Sequence, residues 1–171
     1  MIDWGQTLLK FVNRLEEWLL RIETALVVVL FPTLVAATFL QVVFRYVFNH
    51  PLPWTEEFAI NLFVWVAFIG SSIALAKKGH YGLELLKDKL PPMLRVLAEI
   101  IIWFVSAAFL LVVFVYGVEV VLDTSHVMTT LPLSMRWFFS AVPAGAVLML
   151  AHLAIHAGQA VLQRSQKHEG T

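Results

Sequence analysis

The sequence predicts an all-α membrane protein: four transmembrane helices preceded by an N-terminal amphipathic interfacial helix, with both termini on the cytoplasmic side. Three observations carry that expectation. Of 171 residues, 60% are hydrophobic and only 14% charged, where an ordinary soluble domain carries about 25% charged residues. Removing every Asp, Glu, Lys and Arg leaves four long uncharged stretches, Thr24–Phe44, Phe58–Ala76, Ile100–Val118 and Trp137–Gln163, of 21, 19, 19 and 27 residues. The basic residues are divided unevenly among the segments between them. A water-soluble fold of this size could not bury so much apolar surface in one core.

Residues 1–22 form the first element. Trp4, Leu8, Phe11, Leu15, Trp18 and Ile22 recur at steps of four and three, so they share one helical face, with Lys10, Arg14, Glu17 and Arg21 elsewhere on the wheel. A signal peptide would show a short apolar core and a small-residue cleavage site instead. Two placements fit such a helix: the cytoplasmic lipid interface, or a partner protein's helix.

The four uncharged stretches are read as helical spans over 23–164, because about 20 residues at 1.5 Å rise cross a hydrocarbon layer of about 30 Å. Spanning strands would be shorter and would alternate polar with apolar residues. Pro51 and Pro53 separate the first two spans. Thr55 is placed to cap the second, with Glu56 and Glu57 in its first turn near the positive helix end. Lys77 and Lys78 close that helix and Gly79 follows it. A short surface helix is expected over 83–90, and Pro91-Pro92 should start the third helix well before Ile100. Pro32 and Pro143 fall inside spans and should kink them. A short polar tail, 165–171, ends the chain.

Orientation follows from charge. The segment before the first span, the connection between spans two and three, and the tail together hold ten basic residues, against Arg45 and Arg136 on the opposite side. The basic-rich side is cytoplasmic by the positive-inside rule, so the loops at 45–57 and 119–136 face outward.

The chemistry this composition excludes is as informative. Cys is absent, which removes thiolate catalysis, disulfide exchange and thiolate metal sites. No uncharged stretch holds the mid-membrane carboxylate that a proton-coupled pump uses. His152 and His156, at i, i+4, share a helix face and could ligate a metal. No acid or third His is expected at matching depth on another span, so contact between helices is the favoured role. Neither catalytic nor cofactor-binding residues are expected.

Polar residues gather at the outward ends of the first two helices: Gln41 and Arg45, then Glu56, Glu57 and Asn61. Arg45 can pair with either glutamate and fix the hairpin, or these groups can organise a surface that receives an external protein. Ala67, Gly70, Ser71 and Ala74 form a small-residue stripe that permits close helix packing. The six Trp suit membrane interfaces and need no binding role.

Phe44-Arg45-Tyr46-Val47-Phe48 followed by Pro53-Trp54-Thr55-Glu56-Glu57, then Phe63-Val64-Trp65, Gly70 and Gly79-His80, with Pro132, Trp137, Pro143 and Gly145 later, form a recognisable set. With it the chain resembles, over nearly its whole length, the small Q-type membrane subunit of tripartite ATP-independent periplasmic (TRAP) transporters. One departure is Ile60, where relatives often carry a basic residue. The resemblance implies a subunit of the bacterial inner membrane that is not an enzyme and braces a large multi-spanning permease subunit. That partner would hold the sodium and substrate sites, and a periplasmic binding protein would deliver an organic acid such as a dicarboxylate or a sialic acid. Arg45, Trp54, Glu56 and Glu57 are then docking candidates, with Ala67, Gly70, Ser71 and Ala74 as packing candidates. Membrane lipids are further partners, and no nucleic acid is expected. Two alternatives from other classes are a self-sufficient homo-oligomeric four-helix transporter or channel, and a membrane redox subunit.

Overall fold

The computed structural model describes residues 4–78, 91–130 and 133–169; the expected 83–90 helix, the Gly79 helix end and Pro132 lie outside them. The described residues are helical apart from connections: α1 Trp4–Tyr46, α2 Pro53–Lys78, α3 Pro92–Asp123, the single turn α4 Arg136–Phe139, and α5 Ala141–Glu169. Four helices are long and apolar enough to cross a membrane. The N-terminal segment is continuous with the first span, giving a helix of 43 residues and about 65 Å.

The termini of α1 and α2 follow from local chemistry. After Tyr46 the chain turns through Asn49, whose φ of 51° is the left-handed conformation that Asn tolerates better than most residues. The α2 helix begins at Pro53, two residues before the expected Thr55 cap. Proline suits this first position because its φ is already helical and its missing N–H would have no partner there. Thr55 is instead fully buried, and its hydroxyl donates to the Leu52 carbonyl at 2.6 Å. Pro92 likewise opens α3, as the Pro-Pro pair predicts.

The two internal prolines behave differently. Pro32 lies within α1 without ending it, and the next residue, Thr33, donates its hydroxyl to the Val29 carbonyl at 2.7 Å. The expected single span 137–163 is divided at Ser140, between α4 and α5. Phe139, the last residue of α4, is four before Pro143, whose ring crowds the carbonyl at that distance and offers it no N–H.

The bundle centres on α2 and α5, with α1 packed chiefly on α2 and α3 on α5. Ala59, Leu62, Ile69, Ser72 and Ala76 make the buried line of α2, and Ala141, Ala146 and His152 are buried on α5. Glycines set the closest approaches. A Cβ at Gly145 would stand 2.6 Å from the Phe68 Cβ, and one at Gly117 would stand 3.1 Å from the Pro143 Cδ. Such small residues let helix backbones draw together where lipid gives no hydrophobic drive. Two indoles add cross-helix hydrogen bonds, Trp65 Nε1 to the Trp137 carbonyl at 3.2 Å and Trp103 Nε1 to the Leu153 carbonyl at 3.3 Å. Interfacial preference alone does not anticipate these bonds.

The inward seam of α1 runs through Val12, Glu16, Leu19, Glu23, Val27, Leu30, Leu34 and Ala37. The apolar stripe read from the sequence lies on another face: Leu8, Phe11, Leu15, Trp18 and Ile22 are all exposed.

Candidate functional site

Two polar clusters stand out, one at each end of the bundle. The end where α1 turns into α2 is here the hairpin end, and the end with both chain termini the terminal end.

At the hairpin end, Glu57 occupies the first turns of α2, half-buried. One carboxylate oxygen accepts the Thr129 backbone N–H at 3.1 Å, and the other accepts the Thr130 backbone N–H at 3.0 Å and the Thr130 hydroxyl. Two successive amides aimed at two oxygens of one carboxylate make a strong charge-assisted clasp. It secures the connection between α3 and α4. That connection is braced further by Met128 N–H to the Leu133 carbonyl at 2.9 Å and Met135 N–H to the His126 carbonyl at 3.0 Å. Arg136 closes its base, donating Nε–H to the Thr124 carbonyl at 2.7 Å, and Met128 within it is buried.

The other docking candidates share this end but not this clasp. Arg45 lies over the Tyr46 ring, 5.8 Å from its centroid, and forms no ion pair with Glu56 or Glu57. The expected hairpin salt bridge is therefore replaced by a carboxylate-to-loop contact. Two backbone N–H groups that need an acceptor bind the carboxylate at fixed geometry, whereas an exposed Arg–Glu pair gains little in water. Glu56 is exposed. Trp54 is 39% exposed and tilts against Phe58 with centroids 6.4 Å apart.

Towards the terminal end a second cluster joins α1, α2 and α5. Glu23 is 1% exposed and His152 fully buried. Ser72 donates its hydroxyl to Glu23 Oε1 at 3.0 Å, and His152 Nε2 lies 3.3 Å from both carboxylate oxygens. His152 Nδ1 is buried without a hydrogen-bond partner among the described residues. A bare acceptor is less damaging there than a bare N–H, which favours the tautomer with its proton on Nε2. Further along, His156 Nε2 lies 2.9 Å from Glu16 Oε1. Gln159 Nε2 donates to Glu16 Oε2 at 2.6 Å and to Asn13 Oδ1 at 3.0 Å.

This corrects the expectation that no acid sits opposite the two histidines. Spans defined by deleting charges exclude a buried acid by construction, and Glu23 immediately precedes the first one. Its partners are 49 and 129 residues away, so only helix packing reveals them. A trace was legible: Glu16 and Glu23 are seven apart, and His152, His156 and Gln159 follow at i, i+4, i+7, so each set lines one face. For the Glu57 clasp the sequence holds no comparable trace, because Thr129 and Thr130 lie in an irregular connection.

From Ser72 towards the hairpin end the middle of the seam is apolar, formed by Val27, Leu30, Leu34 and Ala37 with Ile69, Leu62 and Ala59, before Gln41, Asn61 and Thr55 bring polar groups back at that end. The polar column therefore stops partway and ties helices together without crossing the bundle. Among the described residues no group of three or more His, Asp or Glu side chains could hold a metal ion. Ala67, Ser71 and Ala74 are exposed, and nothing lies within 4 Å of a Cβ built at Gly70. The described helices leave Ala67, Ser71 and Ala74 open, with Gly70 half-buried.

Comparison with known proteins places the chain in a family. The family described as tripartite ATP-independent periplasmic transporters, DctQ component, matches residues 34–163. The sialic acid TRAP transporter permease protein SiaT of Haemophilus influenzae is 32% identical over 143 residues, covering 83% of this chain and 22% of that protein. The sialic acid TRAP transporter small permease protein SiaQ of Vibrio cholerae is 28% identical over 148 residues, covering 82% of this chain and 78% of that one. The C4-dicarboxylate TRAP transporter small permease protein DctQ of the same species is 26% identical over 99 residues, covering 58% and 40%. The chain thus spans about a fifth of the Haemophilus permease protein and over three quarters of the Vibrio sialic acid small permease.

Proposed function

The chain belongs to the DctQ family of TRAP transporter components, and on that premise we propose that it is the small scaffold subunit of a sodium-coupled organic-acid importer in the bacterial inner membrane. It is an integral membrane protein and a transporter component, not an enzyme. In this reading it braces a large permease subunit, which carries the sodium and substrate sites, and its hairpin end helps receive a periplasmic binding protein.

The family match over 34–163 carries the reading, and the geometry agrees with it. The buried polar column is enclosed by helices and ends partway, as suits a brace. The face of α2 bearing Ile60, Phe63, Ala67, Ser71 and Ala74 is exposed and contiguous, and its small residues admit a partner helix closely. In the Haemophilus relative the matching stretch is 22% of a longer permease chain, which supports lasting association with a much larger permease. Relatives named for sialic acid and for C4-dicarboxylates support an organic acid as substrate. The ten-to-two division of basic residues supports cytoplasmic termini and an outward hairpin end.

Affinity purification of the chain in mild detergent tests the assembly. A much larger membrane protein should accompany it, and sodium-driven uptake by liposomes should require both. Transport by the purified chain alone would instead establish the self-sufficient transporter.

A further inference from the structure

We propose that Glu57 is the positioning residue of the surface that receives the soluble binding protein, acting through residues 124–130 and 133–135 of the connection between α3 and α4 without touching that protein itself. The inference rests on the scaffold reading above. Its basis is the division of labour among four candidates that look alike in sequence. Arg45, Trp54 and Glu56 stand exposed at the hairpin end, whereas both oxygens of Glu57 are engaged by Thr129 and Thr130. A carboxylate so occupied has little left for a visitor, and what it controls is the shape of the loop.

That connection joins two stretches long and apolar enough to span a membrane, Val96–Asp123 and Met135–Ala160, so in the four-span reading it lies at a membrane face. It nevertheless presents apolar side chains: Val127 is 63% exposed and Leu133 44% exposed. The connection is held at its base by Arg136, by its own buried Met128, and across to α2 by Glu57. A loop ordered before its partner arrives spares the encounter the entropy of ordering it. The occupant this fits is a soluble protein arriving from the side with few basic residues, which in the scaffold reading is the periplasmic binding protein. The clasp also has a chemical requirement that a generic polar residue does not meet. Glutamine has one acceptor oxygen and an NH2 group that would face an N–H, so it can satisfy only part of the set. Aspartate keeps both oxygens on a shorter stem.

The experiment uses the assembled transporter in liposomes, with uptake followed against binding-protein concentration. Glu57→Ala should raise the half-saturating concentration about tenfold, with a smaller change in maximum rate, because the ordering is then left to the encounter. Glu57→Gln should fall between Ala and wild type, and Glu57→Asp should restore most of the loss. Thr130→Val, which leaves α2 untouched and removes only the hydroxyl, should give a small shift in the same direction. Amide hydrogen exchange over 127–135 in the transporter without binding protein should quicken in the same order. Unchanged half-saturation in Glu57→Ala and Thr130→Val would overturn the proposal, as would a fall in maximum rate alone. Loss of co-purifying large subunit in Glu57→Ala would overturn it too, since the loop would then serve the membrane partner. If the wild-type chain brings down no larger membrane protein, the scaffold reading itself fails; if it does and the variants match it, this inference alone fails.

Discussion

At Glu23 a carboxylate that is 1% exposed meets donors from two other helices, Ser72 and His152. Removing either partner of such a set strands a buried polar group, which is the expensive outcome, whereas removing both can be nearly neutral. Glu23→Leu and His152→Leu should therefore each lower the melting temperature in detergent. The double variant should recover part of the loss, with a coupling of about 1–2 kcal/mol in a double-mutant cycle. Strict additivity would show that the pair contributes nothing beyond its separate packing. The neighbouring glutamates at the other end differ in the same sense. Reversing Glu56 and Glu57 together should lower uptake while insertion is retained, and most of that loss should appear with Glu57→Lys alone. Glu56→Lys should have the smaller effect, since only Glu57 bonds the loop. Uptake assays alongside membrane fractionation separate the two.

Helix packing concentrates on glycines that leave no room for a side chain. Gly145→Ala would place a methyl 2.6 Å from the Phe68 Cβ. That atom is fixed to the α2 backbone, so α2 and α5 must part. Overpacking of this kind costs about 1–3 kcal/mol, and a clear fall in thermal stability is the expected result. Gly70→Ala is the control, because among the described residues no neighbouring helix comes within 4 Å of a Cβ built there. The first helix poses the reverse case. Phe11 and Trp18 are 61% and 65% exposed, so replacing both with Ala should move the stability of the isolated chain by no more than about 0.5 kcal/mol. The same change should weaken attachment to whatever covers that stripe, read as loss of large subunit or of bound lipid on purification.

For the molecule as a whole, the natural absence of Cys makes orientation directly testable. A single Cys at Thr130 should react with a membrane-impermeant maleimide from the periplasmic side, and one at Lys167 only after the membrane is opened. The opposite pattern would invert the topology and with it the docking surface. The two polar clusters differ in place: the clasp lies at the hairpin end of the bundle, and the Glu–His column lies between helices, where it binds them in register.

Span number and the lipid-like surface were legible in the sequence, because they depend on summed hydropathy that needs no partner. The proline starts of α2 and α3 were within its reach for a related reason, since the fixed φ of proline acts locally. The helix seam was partly legible: the spacing of Glu16 and Glu23, and of His152, His156 and Gln159, marks two polar faces without saying that they meet. Tertiary structure alone decided that meeting, and it alone gave Glu57 to Thr129 and Thr130 instead of Arg45. Hydrogen bonds between residues 49 to 146 apart depend on how helices lie against one another, and no periodicity within a single helix encodes that placement.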